Sequence, residues 1–148
     1  MISYHNGDLL KSGCDIICHQ VNLQGVMGGG IARQIANKYP DVEKSYKLIC
    51  NKECGGLVDI CEIDYPKNRF IANCFSQELN FDTNYKWVKS CFEIVRDFAK
   101  PTNNQIVKVG VPFNYGCGIA NGDWDKVEKI FKDIFENESL IDFQIWKL

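Results

Sequence analysis

The chain lacks the marks of several function classes. Its 148 residues carry 17 basic against 19 acidic side chains, a net charge of -2. Without clustered Lys and Arg, general nucleic-acid binding is not expected. No stretch approaches the roughly 18 apolar residues of a membrane-spanning helix. Met1-Ile2-Ser3-Tyr4-His5-Asn6 has neither the basic start nor the apolar run of a secretory leader, so a cytoplasmic protein without a membrane partner is expected. Histidine is scarce, with only His5 and His19 to supplement eight cysteines. The pairs Cys14/Cys18 and Cys50/Cys54 have three-residue spacers but no turn-like glycine between them. Cys18, Cys61 and Cys74 lie in apolar strand-like runs and Cys91 on an apolar helix face. Buried free thiols are therefore expected, with no metal and no disulfide framework.

What is present fits one domain spanning residues 1–148. Hydrophobic residues make up 45% and charged residues 24%, close to the globular average, which disfavours disorder and low complexity. A chain of this length buries roughly two thirds of its unfolded surface and needs no staple to fold. The β-branched run Asp15 to Val21 reads as an inner strand followed by a loop from Asn22. After Gly28-Gly29-Gly30, Ile31, Ala32, Ile35 and Tyr39 recur at helical spacing until Pro40, and a second short helix is expected from Asp41 to about Lys52. Leu57 to Ile63 and Arg69 to Phe75 read as strands separated by a turn over Asp64 to Asn68. Val88, Cys91, Phe92, Val95, Phe98 and Ala99 share a helix face that ends before Pro101. Gln105 to Val111 reads as a strand, Trp124 to Phe135 as a helix opened by Asn121-Gly122-Asp123, and Ile141 to Leu148 as a last strand. Strands alternating with helices at this spacing predict an α/β sandwich on a mostly parallel or mixed sheet.

Two glycine-rich loops occupy equivalent strand-to-helix junctions, Asn22 to Gly30 and Asn114 to Gly122. Ligands of open α/β sheets bind beyond the carboxyl ends of the strands, where glycine admits the backbone and helix N-termini present unpaired N–H groups to anions. Two such loops on one crevice could hold a diphosphate. The plainer account is that each set of glycines only caps a helix or permits a tight turn. Nucleotide signatures fail: Gly28-x-Gly30 continues to Arg33 where a dinucleotide fingerprint needs a small residue, and no Gly-Lys-Ser/Thr follows a glycine loop. With Lys and Arg nearly absent from both loops, backbone amides are the expected phosphate ligands.

The run His19 to Ala32, with Gly7-Asp8-Leu9 before it and Gly116-Cys117-Gly118-Ile119 after it, resembles the macrodomain family over essentially the whole chain. Within that family, Gly29 to Pro40 is most similar to the ADP-ribose 1''-phosphate phosphatase (Appr-1''-p processing) branch. The resemblance implies a three-layer α-β-α fold around a mixed, mostly parallel six-stranded sheet, and an ADP-ribose cleft. By matching motifs, Asp8 would accept a hydrogen bond from the adenine amino group, the Leu9 backbone would orient that ring, and Trp146 would wall it. Asn22 corresponds to the family asparagine at the distal ribose. Gly28, Gly29, Gly30 and Ile31 would form the first phosphate-facing loop. Gly116, Cys117, Gly118, Ile119, Ala120 and Asn121 would form the second.

Each of these positions also has a plainer role: Asp8 as a turn residue, His19 as a hydrogen-bonded core imidazole, Trp146 as packing beside Ile145 and Leu148. A related glycohydrolase branch uses a lysine after the fourth strand and an aspartate in the second loop, where this chain has Phe75-Ser76-Gln77 and Ala120. Asp123, three residues further on, could substitute for that aspartate, but at a helix start its default role is capping. The leading expectation is a monomeric, metal- and cofactor-free enzyme that converts ADP-ribose 1''-phosphate to ADP-ribose and phosphate. In it Asn22 fixes the ribose and His19 serves as acid or base. Two readings compete: removal of ADP-ribose from modified protein or nucleic acid, and a non-catalytic ADP-ribose binder.

Overall fold

A computed structural model of the chain describes residues 1–64, 68–101 and 103–148. The strands are β1 (Ile2–Asn6), β2 (Ile16–Val21), β3 (Val58–Asp64), β4 (Arg69–Phe75), β5 (Val107–Pro112) and β6 (Ile141–Lys147). The helices are α1 (Gly30–Lys38), α2 (Pro40–Ile49), α3 (Tyr85–Ala99) and α4 (Trp124–Phe135), with a short 3-10 turn at Leu9–Lys11. The strands form one sheet in the order β1-β6-β5-β2-β4-β3. Every neighbouring pair is parallel except β3 with β4, so the sheet is mixed and mostly parallel, as expected.

Side chains alternate across the sheet and build two cores. Ile16 and Cys18 of β2 face α3 and α4, whose Phe92, Phe131 and Phe135 pack with Phe143 of β6. Ile17 and Val21 face the opposite way, toward Ile35 of α1 and Val42 and Tyr46 of α2. Both faces are thus covered, which is why the central strands read as continuous apolar runs rather than alternating ones. Pro40 ends α1 and also opens α2, where its missing N–H and fixed φ suit a first helical position. Asp123 caps α4 by accepting from the Asp125 N–H at 3.0 Å, the plainer of its two roles. All eight cysteines are free thiols. No described helix is long and apolar enough to cross a membrane. The expected turn over Asp64 to Asn68 falls largely on Tyr65, Pro66 and Lys67, outside the described residues.

One strand had no counterpart among the periodic segments. β1 pairs in parallel with β6, Ile2 beside Phe143 and Asn6 beside Lys147. It lies at the sheet edge with no fully buried residue, so it carries too few apolar side chains to announce itself. Its place matters because it delivers Gly7 and Asp8 to the carboxyl end of the sheet.

Candidate functional site

The cleft begins where two strands part. β2 and β5 are paired only at Ile16 with Val109 and Ile17 with Gly110, whereas β2 stays beside β4 to Val21 opposite Phe75. Beyond Ile17 the carboxyl ends of β2 and β5 diverge, and their loops face each other across the gap. The chain runs outward from this point in both directions, which is the topological switch where open α/β sheets bind ligands. Three adjoining cavities follow the gap. One of about 380 Å³ is lined by Asp8, Leu9, Phe113 and Trp146, and a middle one of about 430 Å³ by Gly29 to Ala32 and Gly116, Gly118 and Ile119. The third, of about 400 Å³, is lined by Gln20, Asn22, Val26, Gln77 and Phe81. Shared walls, Gly30 and Ile31 on one side and Gln20 and Gly29 on the other, make them one groove.

In the middle, α1 begins at the floor of the groove. Its N-cap is Gly29, which has no side chain to satisfy the first turn, and the first intrahelical bond runs from Arg33 N to Gly29 O at 3.3 Å. The N–H groups of Gly30, Ile31 and Ala32 therefore have no helical acceptor. A Cβ added at Gly29 or at Gly118 would meet nothing within 4 Å, so both glycines border open groove. Ile119 stands over the middle and third cavities at 85% exposure.

At the first end, Asp8 accepts from Leu10 N through Oδ1 at 2.9 Å and so caps the 3-10 turn; Oδ2 has no partner among the described residues. Leu9 lines the same cavity and is buried. Trp146 lies flat on His5, centroids 4.8 Å apart at 14°, and its Nε1–H donates to Gln144 Oε1 at 2.9 Å. The ring is thus fixed as a wall.

At the other end, Asn22 first organises its own loop. Its Oδ1 accepts from Gln24 N at 2.9 Å and from the Tyr46 hydroxyl at 2.7 Å, and its Nδ2 donates to Val26 O at 2.9 Å. The buried Tyr46 also accepts from Val26 N at 3.1 Å. Burial raises the Tyr46 hydroxyl pKa, so it stays protonated and clamps the loop from below. One Nδ2 hydrogen of Asn22 remains for a ligand.

The structure corrects three expected placements. His19 shares the face of β2 with Ile17 and Val21, is fully buried, and lines none of the three cavities. Its Nε2 lies 2.6 Å from Asn73 Oδ1. Because Asn73 Nδ2 donates to Asp59 at 3.2 Å, that oxygen must face the imidazole, which places the ring proton on Nε2. Burial, only partly offset by the Asn73 hydrogen bond, lowers the His19 pKa to about 4, so the ring is neutral at pH 7. A neutral imidazole sealed beneath the sheet cannot exchange a proton with a ligand in the groove, and the expected acid-base role fails on position. Cys117 turns inward: its thiol donates to Tyr115 O and its N–H to Asn114 O. Asn121 closes a turn through its N–H to Gly118 O and reaches Asp82 rather than the groove.

Sequence reasoning also missed groove residues. Gln20 lines both the middle and the third cavity, and Gln77 and Phe81 close the far end. A polar Gln20 between Ile17 and Val21 on an inner strand was the available signal. Phe81 had none, since only the folded loop gives it φ +70. Charged side chains at the groove are Asp8 and Lys147, both at the first end. Among the described residues no three His, Cys, Asp or Glu side chains converge as metal ligands.

No family model matches the chain. It is 28% identical over 99% of its length to the DNA ADP-ribosyl glycohydrolase of Mycobacterium tuberculosis, of which it spans 42%. It is 28% identical over 93% of its length to the ADP-ribose 1''-phosphate phosphatase of Candida albicans, spanning 95% of that protein. Among solved structures, the macrodomain of Mycobacterium tuberculosis DarG superposes with a TM-score of 0.85 at 24% identity, covering 99% of this chain and 97% of that one.

Proposed function

From the premise that this chain has the macrodomain fold, we propose that its groove binds ADP-ribose and that the protein hydrolyses the bond at C1'' of the distal ribose, with ADP-ribose 1''-phosphate as substrate. The observation that carries this reading is the run of three joined cavities with exposed backbone N–H groups at its centre. Adenine lies between Asp8 and Trp146, with its amino group donating to Asp8 Oδ2. The diphosphate meets the N–H groups of Gly30 to Ala32 and the loop at Gly118, and the distal ribose reaches the free N–H of Asn22. Relatives of the chain's own length bear the name of this phosphatase.

Catalysis in such a groove works mainly by placement. No titratable side chain lines the third cavity, so the protein contributes orientation and an anion-binding backbone rather than a general base. The same observation favours a second reading. The third cavity offers a phosphate dianion no cationic side chain, while its rim carries Val26 at 55% and Ile119 at 85% exposure, a surface suited to a bulky modified macromolecule. Removal of ADP-ribose from protein or nucleic acid would use the same pocket, as the name of the mycobacterial relative suggests for that enzyme.

One panel separates these. Purified protein is incubated with ADP-ribose 1''-phosphate, with ADP-ribosylated protein and with ADP-ribosylated DNA. Phosphate release is expected, slowed at least tenfold (~) in Asn22→Ala, with AMP affinity unchanged. Release of ADP-ribose from a macromolecule alone transfers the assignment to the second reading, and binding without any conversion leaves a non-catalytic reader.

A further inference from the structure

We propose that Gln20 is a specificity-determining residue of the groove: its amide oxygen, turned outward by the groups behind it, accepts a hydrogen bond from a free hydroxyl of the distal ribose. The proposal rests on the reading of the groove as an ADP-ribose site and says which part of that ligand must be unmodified.

The orientation of the Gln20 amide is forced. Its Nε2 lies 3.3 Å from Ser76 O, 3.2 Å from Ser76 Oγ and 3.1 Å from Thr83 Oγ1. A carbonyl oxygen can only accept. The Thr83 hydroxyl has committed its hydrogen to Gly116 O at 2.6 Å, so toward Gln20 it too can only accept. The amide nitrogen must therefore point inward and Oε1 away from these groups. Among the described residues, His19 Nδ1 is the one buried side-chain polar atom without a partner. Oε1 of Gln20 has no protein partner either, so it is not buried: it opens into the groove that Gln20 lines, between the middle and third cavities.

An outward amide oxygen repels phosphate oxygens and requires a donor. ADP-ribose has two kinds of donor at neutral pH, the adenine amino group and the hydroxyls of its two riboses; with adenine at Asp8, the proximal ribose lies on that side of the diphosphate, whereas Gln20 lies between the middle and third cavities. The donor that reaches Gln20 is thus a hydroxyl of the distal ribose. Gln77 lines the same third cavity; its Nε2 donates one hydrogen to Phe81 O and its Oε1 has no partner among the described residues. Asn22 has the opposite polarity, its oxygen filled and one N–H free. Acceptor oxygens on Gln20 and Gln77 together with a free N–H on Asn22 match a pair of hydroxyls, each of which both gives and takes. A ligand esterified or phosphorylated on the hydroxyl facing Gln20 would lose its donor and meet a repelling oxygen.

The test is calorimetric titration of the wild type and of Gln20→Met, which keeps the side-chain length but removes the amide, with ADP-ribose, ADP, and 2''-deoxy- and 3''-deoxy-ADP-ribose. Gln20→Met should bind ADP-ribose about five- to tenfold more weakly, the worth of one neutral hydrogen bond, and ADP with unchanged affinity. One of the two deoxy ligands should show the same loss against wild type and no further loss against the variant. Equal affinity of both proteins for ADP-ribose overturns the proposal, as does an equal fall for ADP-ribose and ADP, which marks a purely structural role. If Gln20→Met does not fold, wild-type titration decides: full affinity for both deoxy ligands overturns it. A wild type that binds ADP but gains nothing from the distal ribose overturns this inference alone, whereas one that binds neither ligand refutes the ADP-ribose reading itself.

Discussion

The two glycine loops face each other across one groove and are held in unlike ways. The first, from Asn22 to Gly29, is held from behind by side chains: the Tyr46 hydroxyl reaches Asn22 O at 2.8 Å and Asn22 Oδ1 at 2.7 Å. The second is coiled by its own backbone and tied to Thr83, whose hydroxyl donates to Gly116 O at 2.6 Å and whose N–H donates to Ala120 O at 2.9 Å. Gly122 N donates to Gly116 O at 2.8 Å, Asn121 N to Gly118 O at 3.1 Å and Cys117 N to Asn114 O at 2.8 Å. Gly116 takes φ +71 to make this coil possible. Glycine therefore does two jobs that the sequence spells identically. At Gly29 and Gly118 the missing side chain leaves room for something outside the protein, whereas at Gly122 it leaves room for the Gly116 carbonyl.

Alanine at Gly122 should break the comparison most sharply. Its Cβ would meet the Gly116 carbonyl oxygen well inside van der Waals contact, and backbone on backbone cannot yield without uncoiling the loop. A loss of about 3 kcal/mol in urea unfolding is expected, against under about 0.5 kcal/mol for Gly118→Ala, where the added methyl meets open space. Similar costs for the two would erase the distinction between closure and access.

Leucine at Gly29 or at Gly118 carries the contrast from stability to binding. Both variants should melt within a few degrees of wild type and yet lose ADP-ribose affinity by about a hundredfold, since the new side chain fills the phosphate-facing space. Retained binding in either protein, measured by calorimetry, would show that the corresponding loop stands back from the ligand.

Acid sharpens the comparison through what lies beneath the first loop. His19 has a folded pKa of about 4 against an ordinary 6.5, so the unfolded chain takes up the proton first as pH falls. The contribution is complete above about pH 7 and declines between 6.5 and 4, amounting to about 2 kcal/mol lost by pH 5. Urea unfolding of the wild type and of His19→Gln at pH 7 and pH 5 measures it. The variant should lose that part of the pH dependence, and identical slopes would mean that the imidazole is solvated.

Periodicity was enough for the inner architecture. β2, β4, α3 and α4 appear within a few residues of where apolar spacing puts them, because each buries a full face and pays for it in hydrophobic residues. The edge was not legible: β1 buries little, and only pairing with β6 reveals it. The two loops were legible as places, but not the side chains within them. His19 alternates with Ile17 and Val21, and that alternation was the sign of its burial; proximity to Asn22 in sequence argued the other way and misled. Cys117 and Asn121 lie in the loop as expected, yet local hydrogen bonds turn them from the groove. Gln20 depends on Ser76 and Thr83, more than fifty residues away, and no local pattern encodes which end of its amide faces out.

The pairing of β1 with β6 has a consequence in time rather than in space. Residues 16 to 83 bring β2, β3, β4, Tyr46 and the groups behind the Gln20 amide together within one stretch of chain. The opposite end of the groove joins Asp8, just after β1, to Trp146 on β6, and β1 has no other neighbour in the sheet. Closing that span joins Asp8 to Trp146 across all the intervening elements, the slowest class of contact to form. During synthesis β1 waits as an unpaired strand until β6 has emerged. Within this fold the groove is completed from its Asn22 end toward its Asp8 end, so its full length is available only once β1 has docked.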